Sequence, residues 1–301
     1  LVTFGPIRDA FAFSAQSQNY KLTSSITHEG GLGLRTSPTK LLLYADGANG
    51  STLFKDEAGH TITANGNAQI DTAQNKFGTG SIKLDGTNSY LTLSDSDDWN
   101  FGNGDFTIDF WVRFNDTTGA QTFFTQGTNG NNNFNFVKLA GGQLFMYFVI
   151  GGVEKGTYTT TNANFVVGNW YHIAFVRNGA NGYILVNGIA LTLTIGQAFG
   201  TNDVGVQTGD VRIGANFLVT PTEFINGWID EFRVSKSIAR WTSNFTPPAE
   251  PYTLDYETTT SNLLNNIIAE PVIGKAVSQN YTLNAGYIPI LQSVPPVSTQ
   301  N

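Results

Sequence analysis

The feature that most constrains this fold is a series of short runs in which apolar and polar residues alternate. One run follows another every 10 to 20 residues between Lys40 and about Tyr252. The clearest run is Phe106 to Phe114, and because successive side chains of a strand point to opposite faces, it separates into two faces. One face holds Phe106, Ile108, Phe110, Val112 and Phe114, and the other holds Thr107, Asp109, Trp111 and Arg113. Many short strands at this spacing predict an all-β sandwich or jelly roll.

Turn chemistry supports the same fold class. Asn187 and Gly188 separate the run YILV from another apolar run, and this pair accepts the positive φ values of a two-residue type I′ hairpin. The 33 Gly, 22 Phe and 11 Tyr also favour strands joined by tight turns over helices.

Seven motifs in this region together resemble the laminin-G-like domains of the concanavalin A-like lectin/glucanase superfamily. In chain order they are LLLYADGANGSTLFKDEAGH, FGTGSIKLDGTNSYLTL, GDFTIDFWVRF, NWYHIAFVRNG, GYILVNG, GDVRIGA and FINGWIDEFRVSKSIARWTSNFTPP. No single motif is diagnostic, and the resemblance rests on their order and spacing over residues 40–252. It implies two curved antiparallel sheets packed face to face in a jelly roll.

Both ends of the chain lie outside that resemblance. We expect an N-terminal strand segment and linker over residues 1–39, the jelly roll over 40–252 and a C-terminal strand segment over 253–301. Prolines at 247, 248 and 251 close the central region. The ends carry too little continuous apolar pattern for a core of their own, so their strands must pair with another surface.

One phrase occurs near both ends. SQNYKL at Ser17 to Leu22 returns as SQNYTL at Ser278 to Leu283. The alternation of Tyr20 with Leu22, and of Tyr281 with Leu283, is typical of a half-buried strand. The two strands could pair within one chain as a small second domain. Alternatively, one could complete a sheet in the next subunit and build a filament, which makes these four residues the predicted assembly contacts.

Composition excludes several function classes. Net charge is −7 with a pI near 4.9, so we expect no nucleic-acid partner. The absence of Cys excludes disulfides and thiolate chemistry. We expect no membrane insertion, because no apolar run approaches the roughly 18 residues of a spanning helix. The chain begins at Leu1, which suggests a processed product and favours an extracellular location, on a cell or virion surface.

The resemblance implies a structural Ca²⁺ site. In laminin-G-like relatives a calcium often joins the early Asp-containing loop to the Asp of the late motif, here WIDEF. The corresponding residues are Asp56 and Asp230, with Asp46 a further candidate. Calcium prefers carboxylate and carbonyl oxygens, which such loops supply. The alternative is that Asp56 caps its turn and that Asp230 accepts hydrogen bonds from backbone.

Catalysis has little support, and we expect no enzyme activity. Retaining glucanases of the superfamily need two carboxyl groups about 5 Å apart. Asp230 and Glu231 are neighbours on a predicted strand and should point to opposite faces. Asp109 should lie on a polar outer face.

Glycan binding requires exposed aromatic rings and amides. The candidates are Trp99 and the loop residues Asn131, Asn132, Asn133 and Phe134, although an Asn- and Gly-rich loop is often only a hairpin connection. Two functions therefore remain open. The first is an extracellular structural subunit that assembles with copies of itself through its terminal strands. The second is a free-standing module that binds surface glycans on a microbial exoprotein or phage fibre.

Overall fold

The structure is a computed structural model that describes residues 11–16, 21–26, 37–205, 207–255 and 282–284. The chain divides into two units, one of residues 37–256 and one that combines residues 1–36 with 257–301. The described residues form nineteen strands and one 3₁₀ turn, Asp97–Trp99. None of their helices is long and apolar enough to cross a membrane.

The strands are, in chain order, β1 Phe11–Gln16, β2 Lys21–Ile26, β3 Thr39–Leu43, β4 Ile62–Asn65, β5 Gln69–Asp71, β6 Ser81–Asp85, β7 Tyr90–Leu93, β8 Phe106–Phe114, β9 Gln121–Asn129, β10 Asn132–Lys138, β11 Gln143–Ile150, β12 Val153–Asn162, β13 Trp170–Asn178, β14 Asn181–Val186, β15 Ile189–Ala190, β16 Leu193–Gln197, β17 Val211–Ile213, β18 Asn226–Lys236 and β19 Thr282–Asn284.

The larger unit is a jelly-roll sandwich of two antiparallel sheets, which confirms the predicted fold class. The front sheet has the order β16-β12-β11-β10-β9-β17-β7-β4. The back sheet has the order β15-β14-β13-β8-β18-β6-β5, and β3 also pairs with β18. Neighbouring strands are frequently distant in sequence, as in β8 between β13 and β18, so the fold depends on long-range pairing.

The core lies between the two sheets. All five apolar residues predicted on one face of β8 are fully buried there. The front sheet contributes alternate residues such as Leu144, Met146 and Phe148. Phe110 stacks on Phe232 with ring centroids 5.1 Å apart, and a chain of further Phe contacts continues through the core. Many of the Phe residues of the sequence therefore lie in this interior.

The Asn187-Gly188 turn forms as predicted. Its φ values are +48° and +77°, and Val186 pairs with Ile189 across the hairpin of β14 and β15. Glycine is required at the second position, because a Cβ on Gly188 would lie 2.0 Å from the carbonyl oxygen of Phe245. This turn therefore packs directly against the chain that follows β18.

The smaller unit contains a three-stranded sheet of order β19-β1-β2. Both outer strands are antiparallel to β1, and Leu22 and Leu283 lie opposite the same residue, Ala15. The two copies of the repeated phrase thus enter the sheet at equivalent registers, paired within one chain. Tyr20 and Tyr281, the other two predicted assembly residues, lie outside the described residues.

Candidate functional site

Asp56 occupies a position that suits turn capping. Its Oδ1 accepts from the backbone N–H groups of Leu42 (2.9 Å) and Ala58 (3.0 Å). Its Oδ2 lies 2.9 Å from the backbone nitrogen of His60 and 2.7 Å from the ring Nδ1 of the same residue. Both carboxylate oxygens of this buried residue are therefore engaged, as the capping alternative predicts.

Asp46 and Asp230 hold the same stretch of chain, residues 76–80. Asp46 Oδ1 accepts from the backbone nitrogens of Thr79 and Gly80, while its Oδ2 makes no hydrogen bond within the described residues. Asp230 Oδ2 accepts from the backbone nitrogens of Lys76 (2.7 Å) and Phe77 (3.1 Å). Asp46, the weaker of the predicted ligands, and Asp230 thus bind neighbouring residues of one segment, whereas the hydrogen bonds of Asp56 go to Leu42, Ala58 and His60.

Glu231 joins this acidic region because β18 is irregular there. The pairing of β18 with β8 shifts register between Asp230 and Arg233, and Glu231 has a φ of +53°. Glu231 Oε2 accepts from the backbone nitrogen of Tyr252, which lies outside the back sheet. Asp230 and Glu231 therefore both bind chain on the outer side of this sheet, and the expectation of opposite faces is corrected by a β-bulge.

Both carboxyl groups of this pair have raised pKa values. Burial raises the pKa of Asp230 to about 7, although three backbone N–H groups oppose the shift. Burial also raises the pKa of Glu231 to about 8, and the charges of Asp230 and Asp46 add to this increase. Within the described part of the chain, no group of three or more His, Cys, Asp or Glu has an arrangement that could hold a metal. The calcium site stays a prediction.

Asp109 is buried, although the sequence predicts an outer polar face. Residues 238–255 cover this part of the back sheet: Thr107 donates to the carbonyl of Ile238, and the ring of Tyr252 lies over Arg233. Arg233 makes two hydrogen bonds to Asp109, of 3.0 and 2.9 Å. His172 Nε2 lies 2.8 Å from the hydroxyl of Tyr252. This network is closed to a substrate.

Both predicted sugar-binding rings, Trp99 and Phe134, belong to the core. Trp99 and Phe134 are each 1% exposed, and the indole N–H of Trp99 donates to the carbonyl of Ser94. Neither ring can offer a face to a sugar, so this prediction is corrected.

The predicted Asn residues brace the hairpin of β9 and β10. Asn133 donates to the carbonyl of Asn129, and Asn132 accepts from the backbone of Gly151. Asn131 is exposed at the tip. The loop therefore has the geometry of a hairpin connection.

The outer face of the front sheet instead presents an aromatic pair that sequence reasoning missed. Phe145 and Tyr147 of β11 are half-buried, and their rings stack with centroids 5.3 Å apart and planes 21° apart. Their neighbours in the strand, Leu144, Met146 and Phe148, point into the core. QLFMYFVI reads as a run buried on both faces. Antiparallel sheets commonly have one face in solvent, so the available signal was that alternate residues of this run, Phe145 and Tyr147, can point outward.

A row of polar side chains crosses the front sheet through Tyr147. Its members pair in register on adjacent strands and are, in order, Arg212, Thr125, Asn135, Tyr147 and Thr157. We call them the front row. Thr125 donates to Asn135, and Asn135 donates to Asn133, so the central amide is fixed in orientation. Burial raises the pKa of Tyr147, and the charge of Glu154 adds to this, which keeps its hydroxyl protonated.

Comparisons with known proteins agree with this fold. The family model Laminin_G_3, described as the concanavalin A-like lectin/glucanases superfamily, matches residues 85–240, just over half of the 301 residues. No curated protein matches the sequence.

Several solved structures are similar in fold. Domain 4 of AbnA, a GH43 extracellular arabinanase from Geobacillus stearothermophilus in complex with arabinotriose, is 21% identical, with 67% of this chain and 94% of that chain covered and a TM-score of 0.48. The binding domain of botulinum neurotoxin DC in complex with rat synaptotagmin II is 17% identical over 67% of this chain and 49% of that chain, with a TM-score of 0.48. The binding domain of Paraclostridial Mosquitocidal Protein 1 is 16% identical over 66% and 49%, with a TM-score of 0.46.

The chain spans about half the length of those two toxin domains. With TM-scores below 0.5, these similarities carry no inference about this chain, and the ligands named belong to those proteins. The family match covers β7 to β18, the strands that form most of both sheets, and it overlaps all of the ordered motifs except the first. The chain belongs to the laminin-G-like family of the concanavalin A-like lectin/glucanase superfamily.

Proposed function

We propose that this protein is an extracellular, non-enzymatic module that binds glycans on the outer face of its front sheet. The observation that carries the proposal is the stacked pair Phe145 and Tyr147, half-buried on the third strand of an eight-stranded sheet. The apolar face of a pyranose packs on aromatic rings, while its hydroxyls need fixed polar partners.

Part of the front row supplies those polar partners, since Thr157 is half-buried, whereas Thr125 and Asn135 are buried. Asn135 and Thr157 flank Tyr147 on the adjacent strands, and Glu154 accepts from the hydroxyl of Thr157 at 2.8 Å. Their orientation is set by hydrogen bonds within the sheet, so a sugar would meet donors and acceptors that are already positioned. Such preorganisation reduces the entropy lost on binding.

The acidic content of this face favours binding over hydrolysis. The four strands β9 to β12 contain one acidic residue, Glu154. A glycosidase of the usual kind needs two carboxyl groups on either side of the bond that is cleaved. These strands cannot supply the pair.

The test is binding to a panel of neutral polysaccharides by affinity electrophoresis and titration calorimetry. Replacement Tyr147→Ala should weaken binding by about tenfold or more, the equivalent of about 1.4 kcal/mol, because it removes half of the stacked pair. The matched control is Tyr183→Ala, a half-buried tyrosine on β14 of the back sheet. Equal effects of the two changes in folded protein, or no binding to any neutral glycan by the wild type, would contradict the proposal.

A structural Ca²⁺ at Asp46 and Asp230 is part of the proposal. The donor set has the hard oxygens that calcium prefers, and the buried carboxyls of Asp230 and Glu231 lie together without a salt bridge to any residue that the structure describes. Asp56, the remaining predicted ligand, already accepts from four other donors and is not part of the proposed site.

A chelator should lower the melting temperature of the wild type, since a ligand bound only by the native state stabilises it. The variant Asp46→Asn should not respond to chelator, and a wild type indifferent to calcium and chelator would remove the site.

Self-assembly through the terminal strands is the second candidate function. It is favoured by the equivalent registers of Leu22 and Leu283 on the two sides of β1, which make β2 and β19 the outer strands of the small sheet that the described residues form. A strand from another copy could add at either edge. Replacement Leu283→Asp should then abolish polymers seen by electron microscopy. A wild type that stays monomeric by light scattering at all concentrations would rule out this candidate.

A further inference from the structure

A second surface with binding chemistry lies on the back sheet, away from the front row. Trp170 pairs with Arg113, and Arg113 pairs with Trp228, so three adjacent strands present these side chains in one line. All three are half-buried and lie on the outer face, since Val112 and Phe114 point into the core. We call these residues the tryptophan strip. The backbones of Trp170 and Trp228 are two strand spacings apart, roughly 10 Å.

Arg113 has no hydrogen-bond partner in the described part of the chain. The other arginines described, Arg177, Arg212, Arg233 and Arg240, all donate to carbonyl, hydroxyl or carboxylate oxygens. Arg113 instead lies over the ring of Trp228, 5.0 Å from its centroid. A guanidinium has five N–H donors in a rigid fork that matches carboxylate and sulfate. The guanidinium of Arg113 therefore packs on the indole of Trp228, and no described residue accepts a hydrogen bond from it.

Two lysines lie beside the strip. Lys76 Nζ lies 4.0 Å from the ring centroid of Trp111, the neighbouring outward residue of β8, and makes no salt bridge with a described residue. Lys83 is next in line beyond Trp228. Of the nearby carboxylates, Asp71 is bound by Lys83 and by the indole N–H of Trp228, and Asp230 is buried against backbone N–H groups. Arg113 is therefore the cation of this strip that no described carboxylate neutralises.

We propose that the tryptophan strip binds the carboxylate or sulfate groups of a linear acidic polysaccharide. Arg113 forms the bidentate contact with the anion, and Trp170 and Trp228 pack against the sugar rings on either side. The line of residues runs across strands and extends about as far as a disaccharide. An acidic peptide would satisfy the charge of Arg113 but would not need two flanking indoles, so the aromatic residues favour a sugar.

The test uses the full-length chain and four polymers: polygalacturonate, dextran sulfate, neutral galactan and polyglutamate. Affinity is measured by titration calorimetry at low ionic strength, where charge contacts are least screened. The wild type should bind at least one of the two acidic polysaccharides more tightly than polyglutamate. Replacement Arg113→Gln should weaken that binding by about tenfold or more, because a charge-assisted contact is lost. The relative affinities of the two polymers identify carboxylate or sulfate as the anion.

Two controls make the outcome decisive. Lys155→Gln removes the same charge from β12 of the front sheet, and Lys155 likewise has no salt-bridge partner in the residues described. It should leave binding of the acidic polysaccharide unchanged. Neutral galactan carries no anion for Arg113 and reports front-row binding in the same titrations, so the failure of front-row binding and the failure of this site are seen separately. Melting curves confirm that each variant is folded.

Three results would overturn the proposal. They are the absence of binding to either acidic polysaccharide, an equal loss in Arg113→Gln and Lys155→Gln, and binding to polyglutamate as tight as to the polysaccharides.

Discussion

At the scale of single residues, the most consequential contact is the buried ion pair of Asp109 and Arg233. Asp109 is fully buried and Arg233 is 6% exposed. Replacement Asp109→Asn would leave the guanidinium without its counter-charge, and breaking a buried pair in this way destabilises a protein by about 3–5 kcal/mol. Denaturant unfolding should show a loss near the lower end of that range, since the amide can still accept one hydrogen bond.

A surface pair gives the control for this prediction. Glu57→Gln breaks the bridge to Lys55, which is 77% exposed on its side chain, and should cost less than about 1 kcal/mol. An Asp109→Asn variant as stable as Glu57→Gln would show that the buried pair contributes little.

The same residue predicts how stability depends on pH. Burial alone would raise the pKa of Asp109, but the charge of Arg233 and hydrogen bonds from His172 and Arg233 outweigh it and hold the pKa well below 3.8. A carboxyl with a lowered pKa stabilises the fold above its unfolded value, and that stability is lost as the pH falls towards the folded pKa. The free-energy difference between wild type and Asp109→Asn should therefore shrink below about pH 4. A difference that stays constant from neutral pH down to about pH 2 would contradict this assignment.

At the scale of strands and turns, Gly188 is a position where an added methyl group should be poorly tolerated. Its φ of +77° disfavours an L residue, and the new Cβ would also meet the carbonyl of Phe245 at 2.0 Å. We expect Gly188→Ala to destabilise the protein by more than the roughly 1–2 kcal/mol of the backbone conformation alone. Gly119→Ala is the matched control, because Gly119 has a φ of +68° and no atom within 4 Å of the added Cβ. Thermal melts in which both variants lose the same stability would show that the backbone at Phe245 moves aside.

These elements also show how far sequence reasoning reaches. The alternation in β8 and the Asn187-Gly188 turn are local signals, and both predicted the structure directly. The bulge at Glu231 has no such signal, because it depends on how β18 pairs with two different neighbours. The burial of Asp109 was missed for a related reason: its cover comes from residues 238–255, far along the chain. Both sites likewise depend on cross-strand registers, which a single sequence does not specify.

At the scale of the whole molecule, the larger unit should fold on its own. Every residue of the interior cluster lies within residues 37–256, as do the segments that cover the outer face of the back sheet. A fragment of residues 37–256 should therefore unfold in one cooperative transition, with a melting temperature within a few degrees of the full chain. Calorimetry tests this, and a fragment that is unfolded or melts without cooperativity would show that the terminal segments are needed for the fold.

The front row and the tryptophan strip belong to opposite layers of the sandwich and look outward in opposite directions. A single molecule with both surfaces occupied would join two polymer chains that never touch one another. Such a molecule would cross-link a mixed gel of the two polymers. The stiffness of the gel should rise with protein concentration and reach a maximum when the number of binding sites matches the number of sites on the polymer chains. It should fall at higher protein concentration, because each bound molecule then contacts only one chain.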